Sequence, residues 1–137
     1  MNKNNTIYHI VTLHDLKTQT IDNYYTPSSF EKDGFIHCTA EKSTSLLVLE
    51  DYFVELSKSN VILILEIDST KLTSEVRYES PAPLQGAGTS HVQDGILFPH
   101  IYGSLNIDAV VGVGKVERVG NKFVWPTIFF GLKTIFE

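Results

Sequence analysis

Three histidines lie in apolar, strand-like surroundings: His9 between Ile7 and Val11, His37 within Phe35-Ile-His-Cys-Thr39, and His100 within Phe98-Pro-His-Ile-Tyr-Gly103. A buried imidazole must find hydrogen-bond partners or bear a desolvation cost of about 1–3 kcal/mol. One such residue is ordinary, but three in one short chain point to a shared pocket. A neutral imidazole offers one donor and one acceptor, which suits gripping ribose hydroxyls or a phosphate. Tyr102 shares a face with His100, and Tyr24, Tyr25 and Tyr102 could stack on a flat ring. The histidines lack the close His-x-His or His-x3-His spacing of a zinc pair, so no metal is expected. A Gly-x-Ser-x-Gly nucleophile elbow and a P-loop are both absent. Cys38 adjoins His37 but faces the other side of the strand, a poor arrangement for a Cys–His dyad. His14 and His91 read as solvated. Glu66 and Glu79 could each act as a general base or stabilise a sugar cation, but both read as exposed strand-end carboxylates.

The elements that must position these residues are short. Residues 6–12 alternate as a strand, with Ile7, His9 and Val11 on one face and Tyr8 and Ile10 on the other. Thr12-Leu-His-Asp15 reads as a capping box opening a short helix over 13–19. Tyr24 to Ser29 is a loop or strand edge, because Pro27 cannot donate to a ladder, and Lys32-Asp-Gly34 is turn chemistry. Residues 35–39 form a second strand. Thr39 then caps a helix running to about Leu56, with a buried stripe of Leu46, Leu49, Phe53 and Leu56. Residues 61–67 are apolar on both faces, as in a central strand, and 75–79 alternate as a partly exposed one. Residues 80–94, with two prolines and two glycines, form the longest patternless stretch, of the kind that often carries function. Residues 109–117 and 122–125 are strands flanking the hairpin signal Gly120-Asn121. Gly112-Val-Gly114 marks close backbone packing or a bulge. The apolar segment 127–136 packs back on the core. With six or seven strands and one or two helices, the expected class is α+β with a split, twisted, mostly antiparallel sheet.

At 137 residues the chain is read as one domain, 1–137, since two halves would each lack a core. Hydrophobic residues make up 42% and no apolar run approaches the roughly 20 residues of a membrane helix, so no membrane partner is expected. The N-terminus MNKNNTIYHI has no apolar core of a secretory signal, which implies a cytoplasmic protein. The single cysteine excludes an internal disulfide. With 11 basic against 16 acidic side chains and no basic stripe, general nucleic-acid binding is not expected. A small nucleotide-like ligand is.

The strings Ile7-Tyr-His-Ile10, Gly34-Phe-Ile-His-Cys-Thr39, Phe98-Pro-His-Ile-Tyr-Gly103 and Gly120-Asn-Lys-Phe-Val-Trp-Pro126 together resemble the DUF952 family over about residues 7–126. That family has no established function, and its fold resembles the ADP-ribosyltransferases, whose split antiparallel sheet grips NAD. The resemblance implies that His9 holds the nicotinamide-side ribose, and that His37 and Thr39 contact ribose or an aromatic ring. Tyr25 or Tyr102 would pack on the ligand, and His100 would act as general acid or base. The catalytic set it implies is His9, His37, His100 and Tyr102, with His9, Tyr25 and Thr39 contacting NAD. Arg77, hydroxyl groups or the amides of Gly86-Ala-Gly88 would meet the pyrophosphate. Where those enzymes often carry a glutamate in the third motif, this chain has His100-Ile-Tyr102. The implied activity is an NAD-using ADP-ribosyl or phospho-ribosyl transferase or NAD glycohydrolase with a histidine-based site, as in RNA 2′-phosphotransferase-like relatives. The alternative is a non-catalytic nucleotide-binding or small-ligand-binding domain.

Overall fold

Strand β1 (Thr6–Thr12) feeds two cores at once. Ile7 and Val11 enter one buried cluster while Ile10 and Tyr8 enter the other, as period-2 alternation requires of a strand covered on both faces. β5 (Ile62–Asp68) repeats the pattern, with Leu63, Leu65 and Ile67 on one side and Ile62 and Ile64 on the other. β5 is central, pairing with β1 on one edge and with β9 (Val110–Lys115) on the other. Each fully buried Ile or Leu here contributes about 1.5–3 kcal/mol. A computed structural model describes residues 5–56, 59–80, 96–120 and 122–136.

A second sheet has the order β4 (Ile36–His37), β7 (Phe98–Tyr102), β6 (Glu75–Glu79). A third joins β2 (Thr20–Ile21), β3 (Tyr24–Tyr25) and β8 (Leu105–Asn106). β10 (Glu117–Val119) and β11 (Lys122–Val124) form a separate hairpin. Every pairing among the described residues is antiparallel. The architecture is therefore mixed α and β, with mostly antiparallel sheets and few helices.

Several local expectations need correction. The described residues hold four helices rather than one or two: α1 (Leu13–Thr18), α2 (Phe30–Asp33), α3 (Lys42–Tyr52) and α4 (Lys133–Phe136). Thr39 does not cap α3, which starts three residues later behind Glu41, because the Thr39 backbone is bridged to Tyr8. Phe53 and Leu56 lie past the end of α3 but still pack on the second cluster. The last hairpin joins β10 to β11 rather than extending β9, and Asn121 lies outside the described residues. Arg118 of β10 fastens this hairpin to the end of α3 by donating to Val54 O and Leu56 O at 2.9 and 2.8 Å. The β2–β3 hairpin was not expected. Its turn residues Asp22 and Asn23 both have positive φ, 53° and 68°, as a type I′ turn requires.

Other expectations hold. Thr12 caps α1 by accepting from Asp15 N at 3.1 Å. The C-terminal segment does return to the core: Phe130 bridges Val113, and Leu132 is buried. The segment 80–94 lies outside the described residues from residue 81 onward.

Candidate functional site

The site forms where the two larger sheets part. β1 and the chain after β4 meet in one bridge, with Tyr8 N donating to Thr39 O and Thr39 N to Tyr8 O, both at 2.8 Å. Cys38 N donates to Pro99 O across to β7 at 3.1 Å. Antiparallel alternation then makes His37 and His100, which lie directly opposite each other, a non-hydrogen-bonded pair, the kind whose side chains approach most closely. The His37 carbonyl is left turned towards β1. There His9 takes the place of a ladder bond, its Nδ1–H donating to His37 O at 2.6 Å.

A carbonyl can only accept, so the His9 proton sits on Nδ1. Burial pushes His9 down to about 4, only partly offset by the His37 carbonyl, and the ring is neutral at pH 7. Its Nε2 faces the Tyr25 hydroxyl at 3.4 Å. That hydroxyl donates to Asp15 Oδ2 at 3.2 Å, and Ser28 donates to Asp15 Oδ1 at 3.3 Å. Burial, reinforced by Asp15, raises Tyr25 far above the ordinary tyrosine range, so the phenol keeps its proton. His9 thus braces the split through its Nδ1–H, while its Nε2 is turned inward toward the Tyr25 oxygen, whose one proton goes to Asp15.

His37 and His100 differ from it. His37 Nε2–H donates to Asp33 Oδ2 at 2.9 Å. Gly34, at φ +84°, ends α2 and lets Asp33 and His37 face each other across the turn. Burial lowers His37, with Asp33 opposing the shift, so the neutral ring presents Nδ1 as an acceptor. His100 Nδ1–H donates to Glu79 Oε1 at 2.7 Å, and Tyr102 OH donates to the same oxygen at 2.6 Å. These two bonds, Tyr102 first, hold the Glu79 carboxyl below its ordinary range. His100 is left with Nε2. Phe35 stacks on His100 with centroids 4.0 Å apart, and the His37 and His100 rings meet edge to face at 5.7 Å.

A cavity of about 500 Å³ opens on this arrangement, within the range of small-ligand sites. His9, His37 and His100 all line it, with Asp15, Asp33 and Lys32, and so does His14, which the sequence reads as solvated. Tyr8, Tyr52, Phe53 and Phe98 supply aromatic wall.

Of the other expected residues, Thr39 lines the cavity but is buried, its hydroxyl 2.5 Å from Ser45 Oγ. Tyr25 also lines it and is fully buried, a link in the wall rather than an open stacking surface. Tyr102 is not among the lining residues and reaches the site through Glu79. Arg77 lies over the Tyr102 ring at 4.3 Å and pairs with Glu75 at 3.1 Å. Gly86 to Gly88 lie outside the described residues. Cys38 is buried, and burial raises its thiol far above the ordinary range, which leaves it a packing residue. Among the described residues no group of three His, Cys, Asp or Glu converges to hold a metal ion, and no helix is long and apolar enough to cross a membrane.

Glu79 ends β6 with a partly exposed side chain, as its strand-end reading has it, and also anchors His100. Asp33 and Asp15 read as turn and cap, yet each sits in the cavity wall. Replacing Asp33 with Asn is expected to move the His37 titration midpoint further down, because the one carboxylate favouring the charged ring is gone. A proton NMR titration of the ring checks the direction.

A family model described as a protein of unknown function (DUF952) matches residues 10–113. The chain belongs to the DUF952 family. The match includes the Gly34–Thr39 and Phe98–Gly103 strings, while His9 and the Gly120–Pro126 string fall outside it. Among solved structures, this DUF952 protein is similar to CC0527 from Caulobacter crescentus, seen in two crystal structures, one of them a double mutant. Each superposes with a TM-score of 0.65 at 14% identity, covering 96% of this chain and 99% of that one. At that identity the likeness concerns the fold. No curated protein matches this chain.

Proposed function

We propose that the cavity binds a ribonucleotide ligand and that the DUF952 domain is an NAD-using transferase or glycohydrolase of ADP-ribosyltransferase-like fold. The observation that carries this reading is the convergence of His9, His37 and His100 on one cavity, His37 and His100 each anchored through a single ring nitrogen with the other left over. The ADP-ribosyltransferase likeness is supported by the split between β1 and β4, where such a fold would seat its nucleotide.

Breaking the bond between nicotinamide and the ribose C1′ sends the electron pair to nicotinamide and leaves positive charge on the sugar. Asp33 and Asp15, in the cavity wall, are the carboxylates placed to oppose that charge. Water or an acceptor hydroxyl then bonds to C1′ and gives its proton to His37 Nδ1 or His100 Nε2. The aromatic wall would carry the nicotinamide ring and keep bulk water out. Lys32 is the cation in that wall available to a pyrophosphate.

Nicotinamide release from NAD by the purified protein tests the reading. Slow turnover is expected, lost in His37→Asn and His100→Gln with the fold retained. If NAD neither binds by calorimetry nor is cleaved, the reading fails. A second reading, a binding domain without catalysis, is favoured by one observation: Glu79, the glutamate nearest the third motif, is committed to His100 and Tyr102. NAD binding without nicotinamide release would select it.

A further inference from the structure

We propose a second chemistry for this cavity, hydrolysis of a ribonucleoside 2′,3′-cyclic phosphate with His37 as general base and His100 as general acid. It shares with the NAD reading only the cavity and a ribonucleotide ligand, and needs no glycosidic cleavage.

The geometry that carries it is a pair of imidazoles facing each other across two strands. Their ring centroids are 5.7 Å apart, and both rings line the same cavity. Each is held by a carboxylate on one nitrogen, Asp33 on His37 Nε2 at 2.9 Å and Glu79 on His100 Nδ1 at 2.7 Å. The carboxylates come from opposite sides of the pair, one from the turn before β4 and one from β6. Each therefore fixes a tautomer and leaves the other nitrogen, His37 Nδ1 or His100 Nε2, without a hydrogen-bond partner among the described residues. Two nitrogens able to move protons at one cavity, one to take a proton and one to give it, are what displacement at phosphorus needs.

Charge supports a division of labour. A positive charge on His100 disfavours a second charge on the adjoining His37 ring. The other charged groups at the cavity are Asp15, Asp33 and Lys32. Glu79 donates nothing and can pair with a protonated His100. In the proposed step, water attacks phosphorus and a new O–P bond forms as the P–O2′ bond breaks. His37 Nδ1 takes the proton from water, and His100 Nε2–H gives its proton to the departing O2′. The product is a 3′-phosphate with a free 2′-hydroxyl. Exchange with solvent restores the starting protonation. Lys32, on the cavity wall, is the cation available to the extra negative charge on phosphorus.

The test is turnover of the four ribonucleoside 2′,3′-cyclic monophosphates by the full chain, followed by phosphorus NMR, beside a separate nicotinamide-release assay. Conversion to the 3′-phosphate is expected, with a bell-shaped pH profile of kcat/KM. His37→Asn should abolish the acid limb and His100→Gln the alkaline limb, each with a loss of about 10²–10⁴-fold. Thermal melting of both variants confirms that they fold. Absence of conversion by the wild-type protein overturns the proposal, as does conversion unaffected by either substitution. Cyclic-phosphate hydrolysis without nicotinamide release would support this proposal and remove the NAD reading. Nicotinamide release alone would do the reverse.

Discussion

Acidification from pH 6.5 to pH 4 is expected to remove about 3 kcal/mol of folding stability through His9. The ring's ordinary value is 6.5, and burial lowers it to about 4 in the folded protein. Between those values the unfolded chain binds a proton that the folded chain refuses, so stability falls as pH falls. Each unit of difference is worth about 1.4 kcal/mol. Above about pH 6.5 both states are neutral at this site and the full stability is present. His37, lowered in the same direction, adds to the loss. Glu79, held below its ordinary carboxylate range, adds only at more acid pH. A loss of this size is a large share of the roughly 5–15 kcal/mol of a typical domain. Urea unfolding across this range checks it. His9→Asn keeps an N–H near the Nδ1 position for the His37 carbonyl but does not titrate. Its stability should change far less with pH, and parallel profiles for variant and wild type would refute the assignment to His9.

Gly114→Val is expected to cost about 3 kcal/mol and to lower Tm on the order of 10 °C. A Cβ at Gly114 would lie 2.6 Å from Pro126 Cβ, 2.7 Å from Pro126 Cγ and 2.9 Å from Phe129 Cε2. The proline ring cannot turn aside as a flexible side chain would. The C-terminal segment must lift off β9, which threatens the Val113–Phe130 bridge. It also carries Trp125, whose ring meets Tyr8 edge to face at 5.2 Å, so a wall of the cavity loosens with it. Calorimetric melting of the variant measures the effect. A Tm within a degree or two of wild type would show that this packing is not tight.

The strands that bury two faces were legible because their residues are apolar at successive positions, as at Ile62 to Leu65. The close approach at Gly112 and Gly114 was legible because side chains were missing from a strand pattern. The meeting of three imidazoles was legible as an expectation, since three polar rings in apolar strands share a need for partners. Their partners were not. Glu79 reaches His100 only because β6 pairs with β7 in a register that sets Arg77 opposite His100 and Glu79 opposite Phe98. No local pattern encodes that register. Asp33 sits four residues before His37, but Gly34 breaks the helix between them, so the spacing alone carried no helical meaning. The Asp22-Asn23 turn lacks the glycine that usually marks a type I′ hairpin, and with it went the placement of Tyr25 beside His9. Thr39 looked like a helix cap because its pairing with Tyr8 is long-range.

The most direct test of the shared cavity is a titration of the protein with NAD, followed by NMR of the imidazole ring nitrogens of His9, His37 and His100. Before addition, the His9 and His37 rings should report neutral forms at pH 7.5, with the proton on Nδ1 of His9 and Nε2 of His37, and His100 should show its Nδ1–H held by Glu79. On addition, the His37 Nδ1 and His100 Nε2 resonances should shift together and saturate at one concentration, with His9 following less. Rings unmoved at millimolar NAD, or a His37 and His100 that respond at different concentrations, would contradict a single nucleotide site built by these residues.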